Sequence, residues 1–236
     1  MAELPVLQYY KFHPHISDNA TVSVSAFESQ LKILKQNGYN SISCKQLTEY
    51  LLLGTPLPSN PVLLTFDHGH ITHYEYGQHI LKEQGFFGTF FIVGEWALMS
   101  LHEKPEFCQY MHTEHLRDLQ RSENEIALHG FSHINFRYSP LSCIHKDIQE
   151  NIKFFNEVDL KYTRSVAYPF GVRPPWFKRP IMQNILWREN IELGFKLGNT
   201  INNLKSIDRY GISRVAVKGT DTEEEFLTKL RTQRQA

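Results

Sequence analysis

Val62-Leu63-Leu64-Thr65-Phe66-Asp67-His68-Gly69-His70 decides the reading of this chain. Its first five residues are apolar or β-branched without a break, the composition of a strand covered on both faces, as in a parallel sheet flanked by helices. The run then passes at once into acid, imidazole and glycine, so polar chemistry sits at the strand's C-terminal end. The same grammar recurs downstream. Residues 125–128 read as a strand ending in His129-Gly130-Phe131-Ser132-His133, and Ser165-Val166-Ala167 as one ending in Tyr168-Pro169-Phe170-Gly171.

Outward from these stretches, strands and helices alternate. Pro5 to Tyr10 is a short apolar run that leads into a loop bearing His13 and His15. Ser25 with Glu28 forms a capping box for a helix that places Phe27, Leu31 and Leu34 on one face and stops at Gly38. A strand over 39–43, a helix over 46–53 ended by Gly54, a helix over 74–84 and a strand over 89–93 follow. A helix over 114–121 and another opened by Ser139-Pro140 flank the second strand. Beyond Pro180 come a helix to about residue 190, strands over 194–197 and 212–217, and a charged helix from Thr222. Nothing divides the chain, so residues 1–236 are expected to form one α/β domain, a barrel. An open sheet with a nucleotide crevice has no GxGxxG or P-loop sequence to support it.

Composition narrows the function. Of 236 residues, 41% are hydrophobic and 21% charged, which speaks for a folded chain, and Lys plus Arg equals Asp plus Glu at 25 each. No net field recruits nucleic acid. No apolar run reaches a membrane-spanning length, and residues 1–10 lack a basic-then-apolar leader, so a cytoplasmic protein without a transmembrane segment is expected. Cys44, Cys108 and Cys143 show no CxxC spacing and read as buried or inert thiols. Six of the 12 histidines fall in close pairs: His13/His15, His68/His70 and His129/His133. An i, i+4 pair puts two imidazoles on one face of a helical turn. Barrel enzymes place their functional groups where strands end, so the clusters at Asp67-His68 and His129/His133 can converge although distant in sequence, and a metal site is expected there.

In order and spacing, Val62 to Gly69, then His129 with Phe131-Ser132-His133, then Ala167 to Gly171 resemble the polysaccharide deacetylase family with the NodB homology domain. Phe27 to Tyr39 and Gly88-Thr89-Phe90-Phe91-Ile92-Val93-Gly94 look like the same family's surroundings, so the resemblance covers about residues 5–217. It implies a distorted (β/α) barrel and metal-dependent removal of an N-acetyl or O-acetyl group from a sugar. The family's first motif reads Thr-Phe-Asp-Asp-Gly, the first Asp being the general base and the second a metal ligand beside the two His of the second motif. Asp67 matches the base, and His129 and His133 match the ligands. His68 stands where the second Asp would be. Exchanging an anionic oxygen for a neutral nitrogen favours zinc over magnesium or calcium, and a His68/His129/His133 triad leaves a position for water.

The resemblance further implies that the turn Tyr168, Pro169, Phe170, Gly171 binds substrate or the oxyanion through a backbone N–H, although it lacks the family's Arg. The late Leu-x-His motif that carries the family's catalytic acid is absent. His13, His15 and His70 are therefore candidate proton donors, and Arg214 a candidate to orient Asp67. Trp176, Phe131 and Tyr168 are candidates to stack on a sugar ring. The expected partner is an N-acylated sugar or glycan precursor, as in synthesis of a bacterial surface polysaccharide or O-antigen. A noncatalytic glycan-binding protein and a hydrolase of another small amide are the rival readings. On the sequence alone, Asp67→Asn is expected to remove hydrolysis while leaving the fold intact.

Overall fold

The strand that opens the sequence reading, β6 (Pro61–Phe66), pairs in parallel with β2 (Val6–Tyr9) and with β7 (Thr89–Ile92). In this computed structural model, which describes residues 3–100 and 109–231, the pairing continues through β8 (Glu125–Leu128), β9 (Ser165–Ala167), β10 (Leu193–Leu197) and β12 (Ile212–Ala216). β12 pairs back with β2, which closes a parallel barrel. Short β5 (Asn40–Ser41) adds to the start of β6, and β1 (Glu3–Leu4) pairs antiparallel with β11 (Asn202–Asn203). β3 (Lys11–His13) and β4 (Thr21–Ser23) form a separate parallel pair. The helices are α1 (Val24–Gln36), α2 (Cys44–Leu53), α3 (Gln78–Gln84), α4 (Gly94–Met99), α5 (Thr113–Leu119), α6 (Leu141–Glu157), α7 (Arg179–Arg188) and α8 (Glu223–Thr228). Among the described residues, no helix is long and apolar enough to cross a membrane.

Strand period 2 divides the core in two. Leu64, Phe66, Phe90, Ile92, Ile126, Leu128 and Val166 pack outward against helix residues such as Leu31, Leu116, Ile148 and Phe155. Residues of the other parity, among them Val6, Leu63, Phe91, Ala127, Ala167, Phe195 and Ile212, form a second cluster that fills the barrel, with Leu47 of α2 packed in the same cluster. Two residues further along the strands, the same inward parity delivers Gln8, His129 and Arg214, and Asp67 continues the inward series of Leu63 and Thr65. The fold therefore places four polar side chains in one layer directly above an apolar one.

Local details differ from the expectations. The cap of α1 is Ser23, whose hydroxyl accepts the Ala26 N–H, and Ser25 lies inside the first turn, where its hydroxyl bonds that of Ser23. The expected 74–84 helix is split into a π-helical turn, His73–Gly77, and α3. Phe12 packs so close to Gly77 that a Cβ there would meet its ring at 2.8 Å. For α6 the N-cap is Pro140, without a side-chain bond, instead of Ser139. Of the two cysteines among the described residues, Cys44 is buried and Cys143 exposed; Cys108 lies outside the described residues.

Candidate metal centre and active site

His68, His129 and His133 each offer one ring nitrogen, and these atoms all lie within 4.8 Å of one another. His129 directly follows β8 and is fully buried. Its Nδ1 lies 2.9 Å from the Ala167 carbonyl oxygen, which fixes the proton on Nδ1 and leaves the lone pair on Nε2. That Nε2 is buried and has no hydrogen-bond partner among the described residues. His68 Nε2 and His133 Nε2 are 3.2 Å apart. Three imidazole nitrogens at such separations, one of them orphaned in the interior, fit a single tetrahedral cation with nitrogen bonds of about 2.0–2.1 Å and one position left over. Burial, above all, pushes the pKa of His68 down to about 4 and lowers those of His129 and His133, so all three are neutral and able to ligate near pH 7. His68 and His133 both adopt left-handed backbone, with φ 73° and φ 53°, strain of the kind that functional sites retain.

Asp67 lies beside the triad, its Oδ2 4.0 Å from His129 Nε2. Arg214, fully buried in β12, grips the carboxylate with both terminal nitrogens, Nη1 to Oδ1 at 2.5 Å and Nη2 to Oδ2 at 2.8 Å. Gln8 of β2 donates to Oδ2 at 3.2 Å. Burial works against the Asp67 charge, but the Arg214 guanidinium, by its charge and its hydrogen bonds, overcomes it and holds the carboxyl well below the usual carboxylate range. The guanidinium also rests over the Phe91 ring, 5.5 Å from its centroid. Asp67 is thus a fixed anion in a single orientation.

Helix α6 holds the loop between the two second-motif histidines. Asp147 accepts the N–H groups of Phe131 at 3.1 Å and Ser132 at 2.8 Å, and Asn151, one turn on, accepts the His129 N–H at 3.2 Å. Gly130 permits this: its φ is +76°, and a Cβ there would lie 2.3 Å from Asp147 Oδ2. Neither Asp147 nor Asn151 is singled out by sequence, because a polar i, i+4 pair on an amphipathic helix reads as solvated surface. Asp147→Ala is expected to lower metal affinity about 10- to 100-fold, the usual effect of losing a partner that orients ligands. Competitive chelator titration checks this.

The remaining candidates separate. Tyr168 buries its ring while its hydroxyl donates to the Tyr210 carbonyl at 2.8 Å, so it is not a sugar platform. Phe131 packs on Phe154 in the core. Phe170 is 58% exposed in a left-handed turn, with its ring centroid 4.7 Å from that of His133. Trp96, Tyr10 and Tyr110, which the sequence reading did not single out, complete an aromatic wall: Trp96 lies 5.2 Å from His133, Tyr10 4.6 Å from His68, and Tyr110 4.6 Å from Trp96. His70 sits in this wall beside Tyr110, and burial pushes its pKa down to about 4. It is neutral near pH 7, a poor proton donor. His13 Nδ1 accepts the N–H groups of His15 and Ile16, which ties both residues to their own loop.

Three neutral imidazoles and a fixed carboxylate at the C-terminal mouth of a closed parallel barrel define the site of a metal-dependent hydrolase. The family profile described as Polysaccharide deacetylase matches residues 54–182, and the chain belongs to that family. A putative polysaccharide deacetylase of Bacillus subtilis strain 168, YxkH, is 24% identical over 170 residues; the match covers 72% of this chain and 57% of that protein, so the chain spans little more than half of it. The poly-beta-1,6-N-acetyl-D-glucosamine N-deacetylase of Staphylococcus aureus strain MSSA476 is 28% identical over 220 residues, 89% of this chain and 72% of that one. The structure of Streptococcus pyogenes deacetylase PplD in complex with acetate matches with a TM-score of 0.82 over 98% of this chain and 99% of that one, at 17% identity. IcaB from Ammonifex degensii gives 0.76 over 97% and 95%, at 22%. At such identities the structural likeness speaks for the fold. Family membership and the three-histidine cluster together support a metal-dependent deacetylase.

Proposed function

We propose that the chain removes N-acetyl groups from an amino sugar of a bacterial surface polysaccharide, with zinc as its metal. The observation that carries this reading is the placement of Asp67 Oδ2 4.0 Å from the orphaned Nε2 of His129, beside the other two imidazoles. A divalent cation held by His68, His129 and His133 would polarise the acyl carbonyl and acidify the attacking water, which a base as weak as Asp67 requires. Asp67 takes the water's proton as the water oxygen bonds the acyl carbon. Arg214 keeps the ionised form of Asp67 favoured, so the captured proton passes readily to the amine nitrogen as the carbon–nitrogen bond breaks. Acetate and a free amine result, and no separate histidine acid is needed. Phe170 N–H is our candidate oxyanion donor in the turn, where Tyr168 N–H bonds the Phe195 carbonyl, Pro169 has no N–H and Gly171 N–H bonds the Tyr168 carbonyl. The donor set of three nitrogens supports zinc over magnesium or calcium. Cytoplasmic placement is part of the proposal, and cell fractionation tests it.

Chelator-treated protein reconstituted with zinc is expected to release acetate from N-acetylglucosamine polymer, and chelator-treated protein without added metal is not. Binding of the polymer with no acetate released under any metal would favour the noncatalytic glycan-binding reading instead.

A further inference from the structure

Gln8 carries a polar atom beside the base that nothing in the proposed chemistry uses. Its Nε2 donates to Asp67 Oδ2 at 3.2 Å. That orientation is forced, because a carboxylate gripped by Arg214 offers only acceptors, and an amide oxygen turned toward it would be repelled. Gln8 Oε1 therefore points away from Asp67, and among the described residues it accepts no hydrogen bond. Yet it is not one of the partnerless polar atoms sealed in the interior. Gln8 is 7% exposed, against 4% for Asp67, 1% for His129 and 0% for Arg214, so it keeps more open surface than the rest of its layer. Below and beside it that surface has no outlet: Val6, Leu63 and Phe91 are fully buried, and so is Thr65, its register partner on β6. The open side of Gln8 faces the mouth of the barrel. A free acceptor on a side chain more than nine-tenths buried is a place for a substrate donor.

We infer that Gln8 Oε1 accepts the N–H of the scissile acetamide, and that this contact makes the site selective for N-acyl over O-acyl sugars. The inference rests on the deacetylase reading above and names the group in that site that tells an amide from an ester. Asp67 returns its captured proton to the leaving nitrogen, so that nitrogen must come within about 3 Å of the carboxylate. Gln8 is bonded to the same carboxylate, and its free oxygen is within reach of the hydrogen the nitrogen already carries. The contact strengthens as the reaction proceeds. When the carbon–nitrogen bond breaks, the nitrogen gains the Asp67 proton and positive character, and hydrogen bonds from charged donors are about twice as strong as neutral ones. A contact that tightens in the transition state raises kcat. An ester has only lone pairs on its leaving oxygen, so Oε1 meets it acceptor to acceptor. A site built to bond a donor rejects the analogue that lacks one, since its own polar group is then left unpaired.

The test compares zinc-loaded parent with Gln8→Met, which keeps the volume and removes both amide atoms. The substrates are methyl 2-acetamido-2-deoxyglucoside and methyl 2-O-acetylglucoside. The greater intrinsic reactivity of the ester cancels when the amide-to-ester ratio of kcat/KM is compared between proteins. That ratio should fall about 10- to 100-fold in Gln8→Met, the loss lying on the amide and in kcat. Gln8→Leu repeats the measurement with a second apolar side chain, and thermal melts check both, so a folding defect in one does not decide the outcome. A role confined to holding Asp67 would slow both substrates alike, and a ratio within about twofold of the parent's overturns the inference. Failure of the catalytic reading has a separate signature, hydrolysis of neither substrate by the parent. The same pair then serves as ligands in an NMR titration. Tighter parental binding of the N-acetyl glycoside, with the preference lost in Gln8→Met, supports the contact without turnover. Equal binding of the two, a preference that survives the substitution, or no binding by the parent overturns it.

Discussion

Asp67→Asn should lower the rate of acetate release about 10²- to 10⁴-fold and at the same time destabilise the barrel by about 3–5 kcal/mol. The first effect follows from the loss of a base that an amide cannot replace. The second departs from the expectation drawn from sequence alone, in which the fold stays intact. Arg214 is fully buried and paired at two points with Asp67, so the Asn variant leaves a guanidinium in the barrel without a counter-charge. The pH dependence has a definite sign. The folded pKa of Asp67 is depressed, so its contribution is complete above the unfolded value of about 3.9 and is lost only as pH falls toward the folded one. The stability gap between parent and variant should be widest near neutral pH and narrow in acid, as urea midpoints across pH would show. A further Arg214→Met change should recover most of the stability and none of the rate, because removing both partners of a buried pair costs far less than removing one. Acetate release at the parental rate in Asp67→Asn would reject the base assignment.

Much of this is legible in the amino-acid sequence. The continuous apolar run before Asp67 marks a strand covered on both faces, and β6 is that strand, paired to β2 and β7 with helices outside. His129 and His133 announce themselves by spacing. What escaped was chemistry delivered by strand parity and helix geometry at long range. Gln8 is one polar residue in an apolar stretch, and only closure of β2 against β6 and β12 brings it to Asp67. Asp147 and Asn151 lie on a helix whose polar residues are numerous, and their use depends on the distance between α6 and the loop after β8. Trp96 belongs to α4, a six-residue helix too short to show a period. Tyr168 was misjudged for the opposite reason: an aromatic beside a motif looks functional until its hydroxyl is found on the Tyr210 carbonyl inside the core.

His68 is where this chain leaves the family's first motif, and its replacement should give the largest change in metal binding. Its Nε2 lies 3.2 Å from His133 Nε2, and Tyr10 and Trp96 pack around its ring at 4.6 and 5.6 Å, so the side chain has little freedom to turn away. Loss of a ligand atom exceeds loss of an outer partner, so His68→Ala should weaken zinc binding by more than about 100-fold. Part of any instability in that variant will come from the backbone, because φ is 73° and Ala is disfavoured there, whereas Asp is better tolerated. His68→Asp therefore serves as the matched variant. It should retain the fold, recover much of the metal affinity and shift preference from zinc toward manganese or magnesium, since a carboxylate oxygen replaces an imidazole nitrogen. Competition titrations with each metal, on parent and both variants, read these differences without requiring turnover. Zinc affinity unchanged in His68→Ala would leave His129 and His133 as the whole ligand set and return His68 to the aromatic wall.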